Sequence, residues 1–495
     1  MKKRPNILFF MCDGLQGRAL RDKDVKTPNI DRLCTRALSF DRAYTPTPTC
    51  SPARASLMTG LLAHNHGVLQ VEHCVDNDQS VLRTDRRHWA QYLSDAGYCT
   101  GYFGKWHIER TFELNKFGWQ VNGCDHSPLF LELVEKLPGH EEDKLDESIQ
   151  HWQINGDGYR PILHYGVTDY PVAERRIGIP TALASSFLEE VLGAGQPWCC
   201  FVSYPDPNEA MVCSRETFKL YDVNQIELSP NLKDGLEGRP AMYRRTQQLW
   251  SSFTEQQWRE AKICYYARIT ELDSQLSLLL DKIGKAGEME NTIVIIISDH
   301  GKYVGGHGME AHNFGAFEEI YNIPMIISTP QMTGSRRSSA RVGLHEIYSS
   351  LLDLLDIEHE PVPDSRSFAE LVEDPNADEG AYQTGYGEYH GTRFPLMQRI
   401  LWDGDWKFIF NGFDYDELYD LATDPYEMHN LADKPQYQER VKTMMKMAWE
   451  HIINTGDKSL ISTHYYSMRF ASVGPDSVKK KDFDNSSSLH IKIFK

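Results

Sequence analysis

The sequence predicts an α/β protein in which a large, mostly parallel or mixed sheet lies between helix layers, followed by a smaller α+β unit with an antiparallel sheet. Two patterns predict the first part: strands that are apolar on both faces, and helices that alternate with them. A chain of 495 residues with 41% apolar residues can also bury a large core.

Strands and helices alternate along the first three quarters of the chain. The run ILFFMC at residues 7–12 predicts the first core strand, and NIDRLCTRA predicts the helix after it. Three further pairs of helix and strand are HWAQYLSDAG with YCTGYFGKWH, RRIGIPTALASSFLEEVLGAG with WCCFVSY, and residues 253–287 with TIVIIISD. Functional residues are expected at the carboxyl ends of such strands.

The pattern changes after HEIYSSLLDLLDI. RILWDGDWKFIF predicts a hairpin that turns at Asp403 and Gly404, and residues 435–454 predict a helix. We therefore divide the chain into an α/β domain at residues 1–380, a C-terminal α+β subdomain at 381–475 and a flexible polar tail at 476–495.

Composition excludes several classes of function. The formal net charge of −18 argues against nucleic acid and anionic membranes as partners. The basic start MKKRPNILFFMCDG has too short an apolar run for a signal peptide, and no apolar stretch reaches the length of about 18 residues that spans a membrane. The ten cysteines show no CxxC spacing, so we expect a reduced, cytoplasmic protein, either monomeric or oligomeric.

The segment PTPTCSPARASLMTG places Cys50 directly before a predicted helix at residues 52–59. Ser51 suits the N-cap and Pro52 suits the first helical position. An anionic group is stabilised at this end of a helix, and Arg54 adds a fork of donors one turn on. By itself the cysteine fits a nucleophile, half of a disulfide, a metal ligand or a buried apolar residue.

CSPARASLMTG resembles the signature of the formylglycine-dependent (type I) sulfatases of the alkaline phosphatase superfamily, CxPxR with a Thr-Gly pair five and six places after the arginine. The segments RPNILFFMCD, KTPNIDRLCTRALSFDRAYT, GKWH, ISDHG and DELYDLATDPYEMHNL follow in that family's order, from residue 4 to about residue 432. The resemblance implies an alkaline phosphatase-like fold. It also implies that a maturation enzyme converts Cys50 to 3-oxoalanine, the aldehyde formylglycine.

The resemblance further implies one divalent metal. Asp13 ends the first strand at the place of a calcium ligand in the family, and Asp299 and His300 stand at the place of the second metal-binding pair. With Cys50 they form the predicted ligand set. The residue types alone leave Ca²⁺, Mn²⁺ and Zn²⁺ open, and the family implies Ca²⁺. Many sulfatases have a second acid where this chain has Gly14.

Substrate-handling residues are also implied by the resemblance. Lys105 in GKWH corresponds to a lysine that contacts the sulfate, and His107 corresponds to a histidine that acts on the formylglycine hydroxyls. Because these residues are two positions apart, their side chains would face the same way if the segment were extended. The family's leaving-group histidine is Asn208 here, and an amide supplies no proton. The remaining candidates for that acid are His312, which lies near the place of a substrate lysine, His66 and His307.

The predicted activity is hydrolysis of a sulfate ester, of a sulfated carbohydrate or a small alkyl or aryl sulfate, to an alcohol and inorganic sulfate. The metal, Lys105, Arg54 and the helix N-terminus would hold the sulfate oxygens, and His107 would take a proton from the second hydroxyl of the hydrated aldehyde. One alternative is a phosphonate monoester or phosphodiester hydrolase of the same superfamily, with which Gly14 and His300 are compatible. Another is a non-catalytic binding protein, which is suggested by three departures from the family pattern: Gly14, Asn208, and Asn322, which stands at the place of a family arginine.

Overall fold

The computed structural model describes residues 4–153, 156–208, 210–310, 312, 314–392, 394–458, 460–461 and 469–478. The predicted tail falls outside the described residues from residue 479 onward. The domain boundaries at residues 380 and 475 stay predictions.

The strands of the described residues form three sheets, with eight, four and three strands. Their bounds are β1 Asn6–Asp13, β2 Leu38–Tyr44, β3 Cys99–Gly104, β4 Val121–Cys124, β5 Leu145–Gln153, β6 Ile162–Thr168, β7 Trp198–Pro207, β8 Met211–Ser214, β9 Thr292–Ser298, β10 Met325–Ser328, β11 Arg336–Gly343, β12 Thr384–Tyr389, β13 Gln398–Asp403, β14 Trp406–Asn411 and β15 Glu417–Asp420.

The α-helices of the same residues lie between and beside these strands. Their bounds are α1 Pro28–Cys34, α2 Cys50–Thr59, α3 Ala63–His66, α4 Trp89–Asp95, α5 Pro128–Glu135, α6 Gly178–Val191, α7 Arg215–Phe218, α8 Ala241–Gln247, α9 Glu255–Lys285, α10 Glu318–Tyr321, α11 Ile347–Leu354, α12 Ala369–Glu373 and α13 Gln438–Asn454.

The eight-stranded sheet has the order β11-β2-β10-β9-β1-β7-β3-β4. Strand β10 pairs antiparallel with β2 and β9, and the other neighbouring strands are parallel. The predicted mostly parallel sheet is therefore confirmed. Because β9, β1, β7 and β3 run in the same direction, their carboxyl ends meet at one edge of the sheet.

Helices cover both faces of this sheet. Alternate side chains of a strand point to opposite faces, and on this sheet both sets are apolar and need helices to cover them. Along β1, Ile7 and Phe9 pack into one core with residues of α2, α4 and α11, whereas Leu8 and Phe10 pack into a second core with residues of α1, α6 and α9. Every residue of β1 is buried. This arrangement explains why the strand is apolar on both faces in the sequence.

Helix α9 extends from Glu255 to Lys285 and is the longest in the described part of the chain. It begins with a capping box in which the Thr254 hydroxyl accepts from the N–H of Gln257 and the Gln257 side chain accepts from the N–H of Thr254. Its buried residues recur at the predicted spacings of three and four. The prediction of a helix over residues 253–287 is confirmed, with two residues fewer at each end.

The C-terminal part contains the four-stranded antiparallel sheet β12-β13-β14-β15. Strands β13 and β14 form the predicted hairpin, and Gly404 in its turn has a φ of 56°. Helix α13 packs on this sheet through residues such as Met444 and Met445. Among the described residues no helix has the length and apolar character that a membrane span requires.

The three-stranded sheet β5-β6-β8 was not predicted. Strand β5 is half-buried or exposed along its whole length, so its sequence, LDESIQHWQ, lacks the alternation that marks a strand. This sheet packs against α9 through Tyr165 and Cys213.

Candidate metal and catalytic site

The predicted site residues meet at the carboxyl edge of the large sheet. Asp13 is the last residue of β1, Asp299 and His300 directly follow β9, and Lys105 directly follows β3. Cys50 is the first residue of α2. Residues that are up to 287 positions apart in sequence therefore converge because parallel strands end at the same edge.

Helix α2 begins two residues earlier than predicted. Its N-cap is Thr49, and no side chain caps the helix. The predicted N-cap, Ser51, is wrong because that residue already lies in the helix, and its hydroxyl donates instead to Glu72 Oε2 at 3.1 Å. The helix ends at Thr59 as predicted, and Gly60 caps it with a φ of 73°.

Four buried side chains form a group with the spacing of a metal site. Ligand atoms of Asp13, Cys50, Asp299 and His300 all lie within 4.8 Å of one another. Cys50 Sγ is 3.0 Å from His300 Nε2 and 3.9 Å from Asp13 Oδ1. Each of these residues is at most 2% exposed. The set offers two hard oxygen ligands, one imidazole and the side chain at position 50.

Electrostatic coupling within this group is strong. Burial alone would raise the pKa of Asp13, but Lys105, His300 and Arg54 hold it well below its ordinary value. Burial alone would lower the pKa of His300, but Asp299 and Cys50 raise it to about 10. Burial and the neighbouring Asp13 charge raise the pKa of Asp299, so Asp13 is the carboxylate that its cationic neighbours hold in the charged form.

Arg54 binds these carboxylates from inside helix α2. Its Nε donates to Asp299 Oδ2 at 2.8 Å, and its Nη2 donates to Asp13 Oδ2 at 3.3 Å. Its Nη1 donates to the carbonyl oxygen of Lys105 and to the hydroxyl of Ser203, each at 2.8 Å. The side chain is 1% exposed. All three guanidinium nitrogens therefore contact the protein, and the predicted contact of Arg54 with sulfate stays a prediction.

Lys105 and His107 approach Cys50 from the segment after β3. The ammonium of Lys105 pairs with Asp13, and both Lys105 and His107 lower the pKa of the Cys50 thiol, against burial and the Asp13 charge that raise it. The expectation of an extended segment is wrong, because His107 has a φ of 51°. This turn directs its ring toward Glu72.

Glu72 contacts His107 and was missed in the sequence analysis. Its Oε2 lies 3.0 Å from His107 Nε2 and also accepts from Ser51. Burial and Lys105 lower the pKa of His107, but hydrogen bonds with Cys50 and Glu72 produce a net increase. Burial would raise the pKa of Glu72, and the contact with His107 lowers it to about 2. No local pattern around Glu72 identifies it, because its partners come from two other segments.

Asn208 fills the space where the family often has a second acid. A Cβ added at Gly14 would lie 3.3 Å from the Asn208 side chain. The Asn208 amide donates to Asp13 Oδ1 at 2.6 Å, and its Oδ1 is buried without a hydrogen-bond partner. A buried amide oxygen in a side chain that contacts the Asp13 carboxylate fits a cation that prefers oxygen ligands.

The three candidate leaving-group histidines have different surroundings. His312 stacks on His300 with ring centroids 5.5 Å apart, so it adjoins the site. His66 is buried, and its Nε2 contacts the Ser56 hydroxyl at 3.0 Å. His307 Nδ1 contacts Asp234 Oδ2 at 2.7 Å. Of the three, His312 is in direct contact with a predicted metal ligand, and its role stays a prediction.

The Asn322 side chain is hydrogen-bonded to three other residues of the protein. Its side-chain amide donates to the carbonyl oxygens of Asp41 and Ala43, and its Oδ1 accepts from Arg21.

A buried group of carboxylates and a histidine at the carboxyl edge of an α/β sheet, beside a helix N-terminus, is an arrangement that metal-dependent hydrolases of charged esters use. Comparison with known proteins gives the family. The sulfatase family model matches residues 5–357, and the model of the C-terminal region of N-sulphoglucosamine sulphohydrolase matches residues 305–454. The chain belongs to the sulfatase family and is a sulfuric ester hydrolase. Membership implies a divalent metal and formylglycine.

Individual relatives agree with this family. The uncharacterised sulfatase YidJ of Escherichia coli strain K12 is 28% identical over 88% of this chain and 85% of its own length. BT4656, solved in complex with its substrate D-glucosamine-2-N,6-O-disulfate, has a TM-score of 0.71 at 21% identity, covering 92% of this chain and 99% of that one. The phosphonate monoester hydrolase SpPMH of Silicibacter pomeroyi has a TM-score of 0.75 at 19% identity, covering 92% and 97%. The two structures show that the alkaline phosphatase-like fold is shared.

Proposed function

We propose that this sulfatase hydrolyses a sulfate monoester of a sugar with formylglycine formed from Cys50. The observation that carries the proposal is the position of Cys50. It is the first residue of α2, it is 2% exposed, and its sulfur lies within 4.8 Å of ligand atoms of Asp13, Asp299 and His300. A thiol in such a group would be an ordinary metal ligand. The signature around it instead makes it the substrate of a maturation enzyme.

We propose Ca²⁺ as the resident metal, held by Asp13, Asp299, His300 and the side chain at position 50. The amide oxygen of Asn208 would complete the set and take the place of the acid that Gly14 lacks. Ca²⁺ accepts six to eight oxygen ligands, and a neutral amide oxygen is among those it uses. When bound, the metal supplies Lewis acidity that polarises a sulfate oxygen and the hydroxyl that attacks sulfur.

The protein's own residues would bind the sulfate and move the protons. Lys105 reaches Asp13 and Cys50 and would neutralise charge on the sulfate oxygens together with the N–H groups at the start of α2. His107 would accept a proton at position 50, and Glu72 would hold the resulting imidazolium. His312 would be the group that supplies a proton to the departing alcohol.

The sugar class is supported by a protein of the same fold and by an exposed side chain beside the site. BT4656, which shares the fold, acts on a disulfated glucosamine. Next to Glu72, the His73 side chain is 62% exposed and offers a polar contact of the kind that sugar hydroxyls use. A sulfated monosaccharide is therefore the first substrate to test.

The test is a comparison of kcat/KM for glucosamine sulfates, choline sulfate, an aryl sulfate and a phosphonate monoester under one set of conditions. The proposal expects sulfated sugars to be the best substrates. Faster turnover of the phosphonate monoester would support the second candidate function, phosphonate monoester hydrolysis. Two observations favour that candidate: His300 belongs to the metal group, and SpPMH has the same fold. Failure of Cys50→Ala to abolish turnover would contradict both.

A further inference from the structure

A second group of metal-ligating side chains lies beside the catalytic histidine and shares no residue with the group around Asp13. It consists of Glu72, His73 and His107. Glu72 and His73 belong to a short 3-10 helix, and His107 comes from the segment after β3. From this geometry we propose a zinc site in which zinc binding switches off His107.

The separations of the three ligand atoms fit one face of a zinc tetrahedron. His107 Nε2 lies 3.0 Å from Glu72 Oε2 and 3.2 Å from His73 Nδ1, and these last two atoms are 3.4 Å apart. The circle through three points so spaced has a radius of about 1.9 Å, slightly less than the Zn–N distance of about 2.0–2.1 Å. A zinc ion just above this plane therefore reaches all three atoms without movement of the chain.

The ligand types favour zinc over the metal of the first group. Two imidazoles and one carboxylate are a frequent zinc set with a fourth position left open, whereas Ca²⁺ binds to oxygen ligands. This group has one carboxylate, whereas the group around Asp13 has two. Because Ca²⁺ prefers oxygen ligands, excess Ca²⁺ would fill the group around Asp13 and leave Glu72, His73 and His107 to zinc.

The loop that carries two of the ligands is held in place from the third ligand's segment. The Arg110 guanidinium donates to five backbone carbonyl oxygens of the loop, those of Glu72, Val75, Asp76, Asn77 and Gln79. Arg110 follows His107 by three residues. The three ligands are therefore preorganised, so that little ordering is required when the ion binds.

The consequence for catalysis follows from the chemistry of imidazole. A neutral histidine has one donor nitrogen and one acceptor nitrogen. Zinc on Nε2 uses the acceptor and leaves the proton on Nδ1, so that the ring cannot accept a further proton from position 50. This step rests on the proposed function of His107, whereas zinc binding itself does not.

The first measurement is direct binding to the formylglycine form of the full chain in excess Ca²⁺. Zinc is titrated against a chromophoric chelator. The wild type should bind one zinc ion that His73→Gln binds at least about 100-fold more weakly, since the loss of a direct ligand should exceed the 10–100-fold effect of an indirect partner. Glu72→Gln should weaken binding as well. The control, His429→Gln, changes an exposed histidine outside the group and should bind as the wild type does.

The second measurement is inhibition of ester hydrolysis, expressed for each variant relative to its own zinc-free rate. The zinc concentration for half inhibition should rise about 100-fold in His73→Gln and stay unchanged in His429→Gln. Equal zinc affinity and equal inhibition of the wild type and His73→Gln would overturn the proposal. Cys74 is a free thiol in the same 3-10 helix as Glu72 and His73, so a zinc ion that is lost in Cys74→Ser and kept in His73→Gln would also overturn the proposal. If the chain hydrolyses no sulfate ester, the proposed function fails, and the binding titration still decides the zinc site.

Discussion

Arg54→Met distinguishes two roles for the arginine of the signature. If Arg54 binds mainly the buried carboxylates, its loss leaves Asp13 and Asp299 without their fixed counter-charge. Each of its contacts with a carboxylate is a hydrogen bond between charged groups, worth about 1.5–3 kcal/mol. Breaking a buried ion pair by removing one partner typically costs about 3–5 kcal/mol. We expect the free energy of unfolding to fall by about 3–5 kcal/mol in Ca²⁺-free protein.

Saturating Ca²⁺ should restore part of this loss, because a bound dication neutralises the same two carboxylates. The assay is urea unfolding followed by circular dichroism, with and without Ca²⁺. Arg337→Met is the matched control: Arg337 pairs with Asp41 at the surface, with 62% and 38% of their side chains exposed, so its loss should cost less than about 1 kcal/mol.

A small loss of stability in Arg54→Met would contradict a role of Arg54 as the main partner of the buried carboxylates. If Arg54→Met loses less than about 1 kcal/mol and its only effect is a raised KM, then Arg54 acts on the substrate, as the sequence analysis expected.

Three further predictions concern the side chains of Glu72, His64 and Asn208. Glu72→Gln should lower kcat by about 10–150-fold with little change in KM, because it removes a charged hydrogen bond worth about 1.5–3 kcal/mol from His107; an unchanged kcat would contradict this role. Burial lowers the pKa of His64, but Glu388 raises it to about 9, above the ordinary value of 6.5. The stability from this pair should therefore be complete below pH 6.5 and lost as the pH rises through 9, so urea unfolding of His64→Gln should differ from the wild type at pH 6 and much less at pH 10. Asn208→Ala should bind Ca²⁺ at least about tenfold more weakly by calorimetry, a smaller loss than for a zinc ligand because Ca²⁺ takes six to eight oxygen ligands and water can replace one neutral amide. Wild-type affinity would exclude Asn208 as a ligand.

The large sheet was predictable because its physical cause is local. A parallel strand buried on both faces must be apolar along its interior, as β1 is from Ile7 to Cys12 and β9 is from Ile293 to Ile297. Asp13 and Asp299 were predictable for a related reason, since a carboxylate that ends such a strand lies at the functional edge of the sheet. Family resemblance then supplied the roles of Cys50, Lys105 and His107.

What the sequence did not reveal depends on contacts between distant segments. The position of Glu72 beside His107 requires the loop at residues 72–79 to fold back, and a network of hydrogen bonds from Arg110 holds it there. Asn208 looked like a missing histidine, but the chain brings it against Gly14. The third sheet was missed because its β5 strand is half-exposed and lacks a period of two.

Conversion of Cys50 to formylglycine and the need for this residue in ester hydrolysis can be tested on one sample. The most direct test is mass spectrometry of the peptide that contains residue 50, from protein produced with a maturation enzyme, together with sulfate release by the same sample. We expect a peptide about 18 Da lighter than the thiol form and sulfate release in proportion to the modified fraction. Full activity in unmodified protein or in Cys50→Ala would contradict this expectation.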